Sequence, residues 1–308
     1  MRPLSALMCV YNDNVFTKAC LENIVDAVDQ IVIVEGSWNG ERGTYDYGEN
    51  KRSDDGTRRI VDQFAALHPD KVVVIDSIDD EECSRNAGLA MCEHDWILHL
   101  DSDEFWYPEQ LIAFKNYLPE LERQGVDILY CMEQTFYFNF RNHMDGSKIR
   151  IFNAAAGNHY ESGNGVGDII TGGPCEARSV PVGYLHFQWV GDRFKVLATP
   201  NIEREKMAME VGGIPKSGMT EVDGHKVPLG GWFWWLHEVY LKFDGTNMDE
   251  ILKKNKGSIH PWSFNYEEHR DGELHEMESV DLFPEGVVNA PWFDFEEKGL
   301  VTLQEDLA

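Results

Sequence analysis

The stretch Trp96-Ile-Leu-His-Leu-Asp101-Ser102-Asp103-Glu104-Phe105 is largely apolar up to Leu100 and then stops at two carboxylates one residue apart. Trp96 to Leu100 reads as a buried strand, which puts Asp101 at its carboxyl end and Asp103 in the loop beyond. Open α/β sheets bind ligands at that end of their strands. Two hard oxygen donors there suit a divalent cation, and Mg²⁺ is commonly held by one or two carboxylates together with the phosphates of a substrate. Asp-x-Asp is also a common turn or helix cap after a strand, so the surrounding chain has to decide between the two.

The preceding hundred residues alternate short apolar runs with helical patterns. Leu4 to Val10 reads as a first strand, and Phe16, Cys20, Ile24 and Val28 recur at helical spacing before the buried strand Ile31-Val-Ile-Val34. Thr57 is a candidate cap for a helix whose face carries Ile60, Phe64 and Leu67, and Val72-Val-Val-Ile75 follows as a third strand. A short helix near Ser84 to Cys92 leads into the strand ending at Asp101. Strand and helix alternating in this way predict an α/β fold with a mostly parallel central sheet flanked by helices. In such a sheet Asn12-Asp13, Glu35, Asp76 and Asp101 all close strands on one rim. Four polar strand ends together argue for a ligand site there.

The whole chain sets the limits. It has 308 residues, 43% of them hydrophobic, which is enough for a large core. No apolar stretch reaches the length of a membrane span and the amino terminus has no cleavage-like site, so a cytoplasmic location is expected. The six cysteines lack a C-x-x-C pair and indicate neither zinc nor a disulfide framework. A net charge of −27 repels polyanions, which disfavours nucleic acid as a partner unless a local basic patch exists.

Between Glu35 and Thr57 lies a polar, glycine-rich segment too long for an ordinary connection, with Trp38, Tyr45 and Tyr47 available for stacking. Beyond it, Asp127 to Met132, Ile149 to Phe152 and Val182 to Phe187 read as strands, Gly157 to Gly173 as a glycine-rich active-site loop, and Asn201 to Val211 as a helix. The acidic run Asp76 to Glu82 reads as a solvated loop in which only Asp76 has a role. We expect a first domain over 1–214, with a ligand-binding half (1–110) that carries the rim and a second half (111–214). A mainly helical or irregular, aromatic-rich extension fills 215–308.

Five segments in order, Val10-Tyr-Asn-Asp13, Ile31-Val-Ile-Val-Glu35-Gly-Ser37, Asp55-Gly-Thr57, Ser84-Arg-Asn-Ala-Gly88 and Leu98-His-Leu-Asp-Ser-Asp103, resemble the family 2 glycosyltransferases, which have the GT-A (Rossmann-like) fold. The resemblance is close over residues 4 to 110 and loose over 111 to 210. It implies a nucleotide-sugar donor, usually UDP-linked, with Asp103 on a Mg²⁺ or Mn²⁺ ion and Asp101 assisting at the ribose or the metal. It also implies that Asn12, Glu35 and Asp55 border the nucleoside site and that Arg85 lies near the diphosphate or base. Glu35 departs from the family's more usual Asp, as does the long insertion before Asp55. His186 resembles a downstream histidine that many GT-A enzymes supply as a metal ligand, and an oxygen and nitrogen donor set favours Mn²⁺. His159-Tyr-Glu161 resembles a His-Glu pair of one bacterial branch, in which the carboxylate is the general base.

An inverting transfer needs a base within hydrogen-bond reach of the acceptor hydroxyl. Glu161 is the first candidate, followed by Asp168, Glu133 and Asp192. The expected activity is therefore a metal-dependent, inverting transfer of a sugar to a hydroxyl of a glycan or small molecule. Two alternatives stay open: a non-catalytic carbohydrate- or nucleotide-binding module, and a transferase acting on a hydroxylated base in nucleic acid. The aromatic run Gly231 to Tyr240, with Trp262 and Trp292, fits either an acceptor groove or, more commonly, a core or interface.

Overall fold

A computed structural model describes residues 1–38, 51–138, 140, 142–161, 169–172, 176–190, 219–222, 225–228, 275–277, 279–290 and 292–293. The expectations for Tyr45, Tyr47, Asp168, Asp192, the 201–211 helix, the 231–240 aromatic run and Trp262 fall outside these residues.

The first half follows the alternation of its sequence. Strand β1 (Leu4–Val10), helix α1 (Thr17–Ile24), β2 (Gln30–Glu35), α2 (Thr57–Leu67), β3 (Val72–Asp76), α3 (Glu81–Ala90) and β4 (Trp96–Asp101) form four parallel strands in the order β3-β2-β1-β4. The register pairs Val10 with Glu35, Glu35 with Asp76, and Cys9 with Asp101, which aligns the four polar strand ends on one rim. Both faces of this sheet are covered. Leu4, Ala6, Met8, Ile31, Ile33, Leu98 and Leu100 pack on one side with Phe16, Cys20 and Ile24 of α1 and Val61 and Phe64 of α2. Leu7, Val32, Val34 and Ile97 pack on the other, with Leu89 of α3. Burial on both faces is why these strands read as unbroken apolar runs.

Beyond Asp101 the sheet becomes mixed. Strand β5 (Glu104–Trp106), helices α4 (Pro108–Lys115) and α5 (Leu118–Arg123), and the long strands β6 (Val126–Phe138) and β7 (Asn142–Asn153) follow, then the ribbon β8 (His159–Glu161) with β9 (Ile169–Thr171), and β10 (Glu176–Val190). β7 runs antiparallel to both β4 and β6, β6 is parallel to β10, and β5 closes the far edge antiparallel to β10. The strands are longer than the sequence suggested. Register shifts at Leu129/Tyr130, Val180/Gly183 and His186/Trp189 break the two-residue alternation that a periodicity reading follows.

Three local expectations change. The first helix ends at Ile24, short of Val28. Thr57 is not a cap: it is the first residue of α2, its N–H donates to Asp55 Oδ1 at 2.9 Å, and its hydroxyl accepts from Asp13 N at 2.8 Å. The acidic run is no solvated loop throughout, because Asp80 caps α3 through Cys83 N and Glu81 pairs with Arg85.

Part of the expected extension belongs to the same core. A two-residue strand, His275–Glu276, pairs with β7, Met277, Phe283 and Val287 are buried, and the Trp292 ring meets Phe16 edge-on at 4.8 Å and Phe105 at 5.6 Å. Trp292 is thus a packing residue. Among the described residues no helix is long and apolar enough to cross a membrane.

Gly88 sets how closely α3 approaches the sheet. A Cβ at this position would lie 2.5 Å from Leu7 Cδ1 and 2.6 Å from Val34 Cγ2. Gly88→Ala is therefore expected to destabilise the protein by about 1–2 kcal/mol despite alanine's better helix propensity. A urea melt with unchanged or greater stability would contradict this.

Candidate active site at the strand ends

The rim is first a problem of anchoring. After β2 the chain turns at Gly36 (φ +128°), where a side chain would strike Ser77 Oγ and Lys51 O at 2.6 and 2.8 Å. The segment 53–58 is then tied back onto the strand ends. Ser53 N donates to Glu35 Oε1 at 2.8 Å, Asp54 N to Asn12 Oδ1 at 3.0 Å, and Asn14 N to Asp55 Oδ2 at 3.0 Å. Arg58 donates to Glu35 Oε2 at 3.1 Å and to Asp76 Oδ1 at 2.6 Å. The side chains of Asn12, Glu35 and Asp55, expected beside a nucleoside, thus hold the wall of the rim. Glu35 is fully buried and its two oxygens already have protein partners.

The Asp101–Asp103 turn lies between β4 and β5. Ser102 Oγ donates to Asp13, the Cys20 thiol donates to Glu104 O at 3.1 Å, and Phe187 N donates to Asp103 O at 3.0 Å. These bonds tie the turn to the end of β1, to α1 and to β10. As a result His186, more than eighty residues away in sequence, sits with Nε2 3.5 Å from Asp103 Oδ1. Its Nδ1 is 2.8 Å from Glu133 Oε1, and Glu133 also pairs with Lys148 at 3.1 Å. On the other side of the turn Arg150 Nη2 lies 2.8 Å from Asp101 Oδ2 and 2.5 Å from Glu104 Oε1.

Burial and charge set the protonation of this cluster. Burial would push the His186 imidazole down, but Asp103 and Glu133 outweigh it and raise its pKa to about 9. Burial raises Glu104 to about 8 against the pull of Arg150. Asp101 is held well below the usual carboxylate range, because Arg150 overcomes its desolvation. Arg150 thus favours the ionised form of both carboxylates beside it, fully at Asp101 and against the stronger desolvation at Glu104.

Donor atoms of Asp101, Glu104 and His186 all lie within 4.8 Å of one another, close enough to converge on one ion. Carboxylate oxygens with one imidazole nitrogen suit Mn²⁺ or Mg²⁺. Glu133 fits the same purpose, since a metal-binding histidine commonly directs its other ring nitrogen to a carboxylate. Glu133, considered above as a base, is 1% exposed and is His186's partner instead.

A second buried group lies behind Asp101. Arg85 is 4% exposed, pairs with Glu81 at 3.1 Å, and has its guanidinium 5.6 Å from the Tyr160 ring and 5.9 Å from Trp38. Its Nη1 is 3.0 Å from His99 Nε2. An arginine can only donate, so that nitrogen accepts and His99 is neutral. Glu161 sits exposed at the end of β8, whose Tyr160 backbone is gripped by the side-chain amide of Asn86: Nδ2 donates to Tyr160 O at 2.9 Å and Oδ1 accepts from Tyr160 N at 3.1 Å.

Sequence reasoning reached Asp101, Asp103 and His186 but missed Glu104, Lys148, Arg150 and His99 as neighbours. Arg150 and His99 left a signal: each is a polar residue set between apolar neighbours in a strand, Ile149 and Ile151 or Leu98 and Leu100, an arrangement that calls for a buried partner.

His99 carries a pH consequence. Burial, with Arg85 and Arg150 nearby, lowers its pKa to about 4 from an ordinary 6.5. Below pH 6.5 the unfolded chain takes up a proton that the folded protein refuses, so stability falls between pH 6.5 and 4 by up to about 3 kcal/mol. Urea melts of His99→Gln should show a shallower loss over that window. An acid limb of the same slope would remove His99 as its source.

Residues 50–165 match the family model described as glycosyl transferase family 2. No curated protein sequence matches the chain. Among solved structures, residues 1–349 of Staphylococcus aureus TarS are 12% identical, with 64% of this chain and 65% of that one covered and a TM-score of 0.36. The longer TarS chain is 13% identical over 64% of this chain and 39% of its own length, also at 0.36. Glucosyl-3-phosphoglycerate synthase from Mycobacterium tuberculosis, in complex with Mn²⁺, uridine diphosphate and phosphoglyceric acid, is 11% identical, with 74% and 90% covered and a TM-score of 0.39. The chain thus spans less than two thirds of the TarS chains it resembles. The matched segment runs from the loop that Glu35 anchors, through the Asp101–Asp103 turn, to just beyond Glu161, and over it the chain is similar to the family 2 glycosyltransferases.

Proposed function

We propose that this protein is a cytoplasmic, metal-dependent inverting glycosyltransferase that moves a sugar from a UDP-sugar to a hydroxyl of a glycan or other small molecule. The observation that carries this reading is the meeting of Asp103 with His186 at 3.5 Å, His186 being oriented by Glu133, at the end of a parallel sheet where ligands bind. The family match over residues 50–165 supports the nucleotide-sugar class.

In this reading Asp101, Asp103, Glu104 and His186 hold Mn²⁺ or Mg²⁺. When bound, that ion supplies positive charge to the diphosphate as it departs. Glu133 keeps the imidazole turned toward the site by accepting from Nδ1, leaving Nε2 for the ion. Asn12, Glu35, Asp55 and Arg58 fix the wall against which the nucleoside lies, and Arg85 stiffens the floor beneath Asp101 by gripping His99. Glu161 takes the proton from the acceptor hydroxyl, with Asp168 on the same glycine-rich stretch as the alternative base. Residues 1–214 make up the catalytic part, and 215–308 supply acceptor contacts as well as Trp292, which packs on Phe16 and Phe105.

The reading is tested by nucleotide release from UDP-, GDP- and TDP-sugars with Mn²⁺ or EDTA, for wild type and Asp103→Ala. Release from a UDP-sugar that requires metal and falls by about 100-fold or more in the variant is expected, since a group aimed at developing charge is commonly worth that much. If no donor turns over and calorimetry detects no nucleotide binding, a binding-module role replaces this one. A salt-sensitive gel shift with DNA or RNA would instead favour the nucleic-acid acceptor.

A further inference from the structure

We propose that Arg150 is an internal counter-cation that competes with the divalent ion for Asp101 and Glu104, so that metal binds weakly until nucleotide arrives. The inference rests on the metal reading above and adds to it a positioning residue that acts through two of the ligands.

A single guanidinium nitrogen, Nη2 of Arg150, reaches both Asp101 Oδ2 at 2.8 Å and Glu104 Oε1 at 2.5 Å. Those two carboxylates also offer their oxygens, with His186, to the candidate ion site. The side chain is 2% exposed, so solvent screens its charge little. An arginine cannot be deprotonated in a protein, so this positive charge is permanent. A divalent ion entering between Asp101, Glu104 and His186 therefore meets a fixed cation already paired with two of its three ligands. Either the guanidinium withdraws or two cations sit side by side in a medium of low dielectric.

The guanidinium is also held from its other side, its carbon lying over the buried Tyr184 ring 5.7 Å from the ring centre. Lys148, two residues earlier on the same strand, is already paired with Glu133. Arg150 thus has no rival for Asp101 on its own strand. A nucleotide diphosphate brings negative charge that can balance the ion and the arginine together, which couples metal entry to nucleotide binding.

The test is a titration of nucleotide-free protein with Mn²⁺, followed by the electron paramagnetic resonance signal of the free ion. Arg150→Met, which keeps the length of the side chain and removes its charge, should bind Mn²⁺ about tenfold tighter than wild type. Saturating UDP should shrink that difference to less than about threefold. Equal or weaker Mn²⁺ affinity in a folded variant overturns the role of Arg150 while leaving the metal reading standing. No Mn²⁺ binding by either protein, with or without UDP, overturns both.

Should Arg150→Met fail to fold, wild type alone decides. Its ¹⁵N-labelled arginine Nε–H signals are followed on adding Mg²⁺, with Arg150→Lys used to assign residue 150. An Arg150 signal that is protected without metal and shifts or exchanges faster with it supports the competition. An Arg150 signal unchanged at saturating Mg²⁺ overturns it.

Discussion

Carboxylates buried at the end of a sheet must find positive charge, and the arrangement of this site follows from how they do so. Asp101, Asp103, Glu104 and Glu133 all lie near the seam between the parallel and mixed halves of the sheet, and each leans on a cation from another element. Arg150 and Lys148 come from β7, and His186 comes from β10. Breaking any one of these pairs would leave a charge in a medium that cannot solvate it, at a cost of several kcal/mol. The pairing therefore does for the second half of the sheet what apolar packing does for the first: it specifies register.

The two halves are built by different physics. β1, β2 and β4 are buried on both faces, with β3 at the edge, and are held mainly by aliphatic contact, so volume-conserving apolar swaps are tolerated at most positions between the strand ends. β6, β7 and β10 carry polar side chains inward and bulge to bring them together. Aromatic packing then seals the turn from behind. Phe105 follows Glu104, Phe187 follows His186, and their rings, 5.1 Å apart, are covered by Trp292. A segment distant in sequence thus forms part of the support for the candidate ligands.

The rim has a second consequence. Its polar side chains are already engaged: Glu35 and Asp55 hold backbone amides, Asn12 holds Asp54, and Asp76 pairs with both Arg52 and Arg58. A wall built this way is ordered before any ligand arrives, which lowers the entropy lost on binding. A nucleoside bound here as proposed would therefore meet the shape of the anchored loop more than free carboxylates.

The sequence by itself determined the alternating first half, because burial on both faces leaves apolar runs of strand length separated by helical spacing, and it determined that the rim ends in Asn12, Glu35, Asp76 and Asp101. It also marked Asp101 and Asp103 by their place after a buried strand, and His186 by resemblance to a family histidine. Only the tertiary structure decided their neighbours. That Glu133 orients His186, that Arg150 spans Asp101 and Glu104, and that Arg58 occupies Glu35 depend on antiparallel register and bulges between strands separated by dozens of residues. Trp292 illustrates the same limit: its type announced a large buried surface, while its partners Phe16 and Phe105 lie nearly the length of the chain away. Local pattern records whether a side chain must be buried, and the long-range register of the sheet decides against what.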